Sequence, residues 1–136
     1  MPGLTLKLKT YNLEPMEKVL IFIDDDSIIN MIHSRLASRA TEHPVETFLS
    51  GEEAIEYFKT QSGKFYIIFL DINMPGMDGW EFIDAFRALE KDFDFTIHIL
   101  SSSIDRSDKE KAASIEEIDQ YLAKPLELPK LQELAK

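Results

Sequence analysis

The chain has no cysteine. That excludes a disulfide framework and any Cys-ligated zinc or redox centre, and it suits a reducing cytosol. There is no apolar run near the roughly 18–20 residues that a membrane-spanning helix needs. The opening segment, MPGLTLKLKTYNLEPMEK, has neither the apolar stretch nor the small-residue cleavage site of a secretory signal. The expectation is a cytoplasmic protein with no membrane partner. Internal repeats and low-complexity tracts are also missing. Basic residues are scarce: 15 Lys plus Arg stand against 25 Asp plus Glu, for a net charge of −10. A surface of that sign repels phosphate backbones, so no direct nucleic-acid contact is expected. It suits a partner with a basic face, or a site that holds a cation.

What is present is one domain's worth of chain. The 136 residues, 44% hydrophobic and 29% charged, suffice for a single globular core. Short apolar runs alternate with helix-period segments. KVLIFID (18–24) reads as a buried strand and 26–40 as a helix, capped by Asp26 or Ser27, with apolar residues at 28, 29, 32 and 36. A second strand at 44–49 precedes a helix over 50–60 that opens on the capping-box pair Ser50 and Glu53. The third strand, 64–70, precedes a helix over 78–91 with Asp78 and Glu81 at cap spacing and a stripe of Phe82, Ile83, Phe86 and Leu89. A fourth strand (94–100), a polar helix (105–114), a fifth strand (118–124) and a last helix (126–136, Pro129 near its start) complete the chain. Strand then helix, five times over, predicts an α/β protein: βαβ units, a five-stranded parallel sheet, and helices on both faces. Residues 1–17 precede this pattern. They are expected to form a flexible extension, although LTLKLK alternates apolar and polar residues and permits a short edge strand or dimer arm.

In such a sheet, ligands bind at the carboxyl ends of the strands. The first strand ends in Asp24, Asp25 and Asp26; the third in Asp71, followed by Asn73 and the turn residues Pro75, Gly76 and Gly79; the fourth in Ser101, Ser102 and Ser103; the fifth in Lys124 and Pro125. Taken singly, each has a plain structural explanation: a helix cap, turn chemistry, a solvated lysine. Taken together, they bring carboxylates, hydroxyls and one ammonium to a single edge. Crowded carboxylates repel unless a cation joins them. With no Cys and no His cluster the donors are hard oxygens, which fit Mg²⁺. A Lys and a Ser hydroxyl opposite would hold phosphoryl oxygens, and a central carboxylate can itself be the nucleophile.

FIDDD at 22–26, LDINMPGMDG at 70–79, ILSSS at 99–103 and YLAKP at 121–125, in that order and strand context, resemble the receiver domain of two-component response regulators over about residues 17–136. The resemblance implies the doubly wound (βα)5, flavodoxin-like receiver fold. It makes Asp71 the phosphoacceptor. Asp25 becomes a direct Mg²⁺ ligand, Asp24 one acting through water, and Asn73 a ligand through its backbone carbonyl. Ser101 becomes the switch hydroxyl, Tyr121 the switch aromatic, and Lys124 the partner of the phosphoryl oxygens. Pro125 follows Lys124 in what is usually a cis bond, and Gly79 sits where the loop after Asp71 turns sharply. Asp26 is left to helix capping and Ser102 to the small position after the switch hydroxyl.

The implied function is that of a receiver that takes a phosphoryl group from a phosphohistidine on a sensor histidine kinase or a phosphotransfer protein. The change would then be read on the face of the fourth helix, fifth strand and fifth helix, about residues 104–136. Such a protein promotes its own phosphorylation and dephosphorylation without being a turnover enzyme, and is expected as a monomer or weak homodimer. Only the last helix follows Pro125, so no output domain is expected: the chain reads as a stand-alone receiver or as a receiver taken from a larger regulator. A phosphate-independent binding module of the same fold would have lost an acid or the Lys, and none is lost. A phosphatase with an aspartate nucleophile would carry a second Asp two residues on, where Asn73 stands. A flavin protein would want a phosphate-cradling loop after the first strand, and DDDS has the wrong sign. His33, His43 and His98 have no metal-site spacing.

Overall fold

The computed structural model describes residues 16–103 and 105–136. The strand permitted by LTLKLK lies outside the described residues. The elements run β1 (Lys18–Ile23), α1 (Ser27–Ala40), β2 (Val45–Phe48), α2 (Gly51–Lys59), β3 (Phe65–Leu70), α3 (Gly79–Ala88), β4 (Asp94–Ser101), α4 (Arg106–Ala113), β5 (Ile118–Ala123) and α5 (Leu128–Leu134). All five strands are parallel, in the order β2-β1-β3-β4-β5. The chain order reverses beside β1, between β1 and β3, and there the crevice of a doubly wound sheet opens.

β1 and β3 are buried on both faces, which is why they read as continuous apolar runs and not as alternations. Their odd and even residues feed two separate cores. Val19, Ile21, Ile23, Tyr66, Ile68 and Leu70 pack under α2, α3 and α4; Leu20, Phe22, Ile67 and Phe69 pack under α1 and α5. Burying such a side chain contributes about 1.5–3 kcal/mol. Phe58 of α2 anchors the larger core, with its ring 5.1–5.5 Å from those of Tyr66, Phe86 and Phe93.

The starts of α1 and α2 follow the predicted caps: Asp26 accepts from the amides of Ile28 and Ile29, and Ser50 from Glu53. Asp105, which the sequence reading did not single out as a cap, accepts from Ser107. At Asp78 and Glu81 both arms of a capping box are made. Pro129 sits in the first turn of α5, where its missing N–H costs nothing.

The predicted stripe of α1 is overturned. Ile28 is 62% exposed and Ile32 44%, Ile29 is half-buried, and only Leu36 packs against the core. The buried face is Asn30, His33 and Ala37. Both polar side chains that point inward find hydrogen-bond partners there, Asn30 through Nδ2 and His33 through Nε2, although Asn30 Oδ1 is buried without one.

Candidate functional site

The hydrogen-bond ladder carries one residue past the end of three strands. The Asp24 amide donates to Phe48 O (3.1 Å), the Asp71 amide to Ile23 O (2.9 Å) and the Lys124 amide to Ser101 O (3.0 Å). Because Ile23 is level with Leu70 and Ser101 with Ala123, the sheet itself places Asp24 beside Asp71 and Lys124 just beyond Ser101. Asp24, Asp71 and Ser101 are all buried, while Asp25 is exposed at the rim.

The side chains meet. Lys124 Nζ lies 2.5 Å from Asp24 Oδ2 and 3.4 Å from Asp71 Oδ2. One carboxylate oxygen each from Asp24, Asp25 and Asp71 fall within 4.8 Å of one another. The second oxygen of Asp24 accepts from the Asp26 amide (2.9 Å), and Asp71 Oδ1 accepts from the Asn73 amide (3.1 Å). Burial pushes the Asp71 carboxyl up to about 6; the Asn73 amide opposes the rise, Asp24 adds to it, and Lys124 pulls against it. Burial also works against the Lys124 charge, yet its bonds to Asp24 and Asp71 leave it above the ordinary lysine range. Three carboxylates around one ammonium remain short of positive charge. A small hard cation would meet that deficit, and an all-oxygen donor set fits Mg²⁺.

The β4–α4 loop is bound to the same edge. Ser101 Oγ accepts from the Ser103 amide (2.9 Å), and Ser103 Oγ donates to Asp108 (3.0 Å). Tyr121 donates its hydroxyl to the Ser103 carbonyl (3.2 Å), its ring resting on the larger core. The Lys124–Pro125 peptide is cis.

The two glycines after Asp71 divide the work differently from the expectation. Gly76 takes the left-handed conformation, with φ 71°, so the sharp turn is there. Gly79 is instead a point of close approach. A Cβ on it would stand 2.8 Å from Asp71 O and 2.7 Å from Ile72 Cα, and its amide donates to Ile72 O. The first turn of α3 therefore lies directly against the backbone that carries Asp71. Asp26 is a cap, as assigned, and Ser102 is exposed. Trp80 packs on the core with Lys111 Nζ 4.8 Å from its ring.

Sequence reasoning missed Asn30 and His33. Asn30 Nδ2 donates to Asp24 O (2.9 Å) and Phe48 O (3.1 Å), and His33 Nε2 accepts from the Leu126 amide (3.1 Å). The only trace in the sequence is that positions 30, 33 and 37 share a helix face with one another and lie opposite Ile28 and Ile32.

An acid cluster and a lysine at the switch point of a 2-1-3-4-5 parallel sheet define the class of a receiver. The comparisons agree. The model of the response regulator receiver domain matches residues 19–136. The heme response regulator HssR of Staphylococcus haemolyticus is 35% identical over 116 residues, which cover 85% of this chain and 48% of that protein; the chain thus spans about half the length of the curated relatives it matches. Among solved structures, a two-component response regulator from Cytophaga hutchinsonii is 31% identical with a TM-score of 0.72, covering 89% of this chain and 96% of that one. A response regulator receiver protein from Dyadobacter fermentans is 31% identical with a TM-score of 0.74, covering 88% and 95%. The chain belongs to the response regulator receiver domain family and is a receiver of two-component signalling.

Proposed function

We propose that Asp71 accepts a phosphoryl group from a phosphohistidine, carried by a sensor histidine kinase or a histidine phosphotransfer protein, and that residues 18–136 form one receiver unit. The observation that carries this reading is the juxtaposition of Asp71, Asp24 and Lys124 at one sheet edge. Asp71 Oδ forms the new P–O bond as the P–N bond to the donor imidazole breaks. The electron pair leaves with the ring nitrogen, which takes up a proton. Lys124 swings from Asp24 to the transferring oxygens, whose charge it neutralises. Asp24, Asp25, Asp71 and the Asn73 carbonyl would hold Mg²⁺, which supplies further charge neutralisation when bound. Ser101 donates its hydroxyl to the phosphoryl group. That movement draws on the Ser101–Ser103–Tyr121 chain of bonds and so reaches the α4–β5–α5 face.

The donor approaches over α1. Ile28, Met31 and Ile32 are exposed apolar residues on α1, and Met31 lines a surface groove with the exposed Leu49; α1 begins at Ser27, immediately after the acid cluster. A surface of this kind marks a protein contact, and its position brings a docked histidine to Asp71. The net charge of −10 favours a donor with a basic face.

The test is intact-mass spectrometry after incubation with acetyl phosphate, with and without Mg²⁺. The expected outcome is one added phosphoryl group that requires Mg²⁺ and is lost in Asp71→Asn. A Mg²⁺-independent adduct, or one that survives Asp71→Asn, places the nucleophile elsewhere. No adduct at any time favours a phosphate-independent binding module.

A further inference from the structure

α1 turns two polar side chains, Asn30 and His33, toward the sheet while leaving Ile28 and Ile32 in solvent. A rotation of about 150°, roughly one and a half times the step of one residue in an α-helix, would exchange them. A helix that gives up apolar burial for polar burial holds something that apolar residues cannot hold. Asn30 is anchored on the Asp24 and Phe48 carbonyls. One turn further on, His33, 1% exposed and stacked on Phe22 (centroids 5.6 Å apart), accepts the Leu126 amide. Leu126 follows Lys124 and Pro125. The same helix therefore grips the strand end that bears Asp24 and the turn that bears Lys124, and the 2.5 Å Asp24–Lys124 contact closes the circuit.

We propose that His33 is a positioning residue for Lys124, holding the Lys124–Pro125–Leu126 turn through the Leu126 amide so that the ammonium stays within reach of Asp71. The inference rests on the reading of Lys124 as the phosphoryl-binding lysine. An imidazole that accepts through Nε2 is neutral, with its proton on Nδ1. Burial favours that neutral ring; Asp24 opposes this, and Lys124 supports it. Without the acceptor, the Leu126 N–H is left unpartnered in the interior, and the turn gains by moving out to find water.

Two variants separate positioning from packing. His33→Phe keeps the stack on Phe22 but has no acceptor. His33→Gln places an acceptor oxygen about where Nε2 stands. The expected result for His33→Phe is a phosphorylation rate with acetyl phosphate that falls about tenfold, the scale of one lost buried hydrogen bond, while Mg²⁺ affinity by calorimetry stays within about twofold. His33→Gln restores the rate to within about threefold of wild type. A folded His33→Phe protein that is phosphorylated at the wild-type rate overturns the inference. So does a rate and an Mg²⁺ affinity that fall together in both variants, which would mark a general packing role. Amide exchange in the wild-type protein decides the matter even where His33→Phe does not fold: a Leu126 amide exchanging as freely as an exposed one ends the proposal, and strong protection supports it. A wild type that takes no phosphoryl group at all overturns the phosphoacceptor reading, and this inference with it; a phosphorylated wild type with an unaffected Phe variant removes His33 alone.

Discussion

Asp71 sits in a position that disfavours its own charge. Its carboxyl is pushed from the ordinary 3.8 up to about 6, chiefly by burial. A raised carboxyl pKa means that the native protein binds this proton more tightly than the unfolded chain. The stabilisation from this group is fully present below the unfolded value near 4 and is lost as pH rises through about 6. Without metal at pH 7.5, ionised Asp71 therefore weakens the fold, by about 1–3 kcal/mol given 1.36 kcal/mol per unit. Asp71→Asn should be more stable than wild type by that amount in urea titrations at pH 7.5 in chelator, with the advantage disappearing near pH 4. A variant that is less stable at pH 7.5 would show that the Lys124 contact, and not burial, dominates at this position. The residue proposed as phosphoacceptor is thus one that the fold tolerates at a cost. That conflict is visible in the sequence as a bare aspartate closing an apolar strand. The supporting residues are less legible: Asn30 and His33 have no spacing that announces them, because their partners, Asp24 O and Leu126 N, are backbone atoms that any residue could supply.

β5 shows how an element is tuned to the site. Ile118 and Tyr121 are three apart, and in an unbroken strand they would face opposite sides of the sheet. Both pack on the larger core, because the β4–β5 register shifts between Ile97 and His98: Ile97 pairs with Ile118, but His98 pairs with Gln120. The extra residue is Asp119. Its carboxylate accepts the Ile97 amide at 2.9 Å, taking the place of the ladder acceptor that a bulge displaces. The shift turns Tyr121 toward Ser103 and sets where β5 runs out at Lys124. Asp119→Ala leaves the Ile97 N–H without its acceptor and should cost about 1–3 kcal/mol, whereas Asp119→Asn keeps most of it. Hydrogen exchange at Ile97 reads the effect directly: protection should drop in the Ala variant and persist in the Asn variant. The strand was legible from its place in the alternation of strands and helices, but the bulge was not, since nothing in IDQYLAK marks which residue is surplus until its neighbour strand is in place.

At the scale of the whole molecule, the sheet edge concentrates negative charge in a protein that is already acidic overall. A cation bound only by the native state stabilises it by mass action, by about 2.7 kcal/mol at a hundredfold excess over Kd. For a domain of this size each kcal/mol moves Tm by roughly 3–5 °C. Mg²⁺ should therefore raise Tm by about 8–13 °C under those conditions, and Asp25→Asn should remove most of the increment. Asp25 is exposed and adds to the carboxylate crowding beside Asp24 and Asp71, so its replacement should leave the Tm in chelator unchanged or slightly raised. A Tm indifferent to Mg²⁺ in wild type would count against the acid cluster as a metal site. Among the described residues no helix is long and apolar enough to cross a membrane.

The order of strands and helices, the caps at Asp26, Ser50 and Asp78, and the set of residues closing the strands were all determined by the sequence alone. Each depends on near neighbours along the chain: a two- or three-residue capping geometry, a run of apolar side chains, a charge after a strand. The rotation of α1, the division of labour between Gly76 and Gly79, and the shift at Asp119 were decided only by tertiary structure. Each depends on which backbone groups lie opposite, and those are set by packing, not by neighbours within a capping turn. His33 meets an amide 93 residues away, and Gly79 meets a backbone it could approach only once α3 had folded back on Asp71. Local preference chooses the elements; unpaired backbone donors and acceptors choose how those elements turn toward one another.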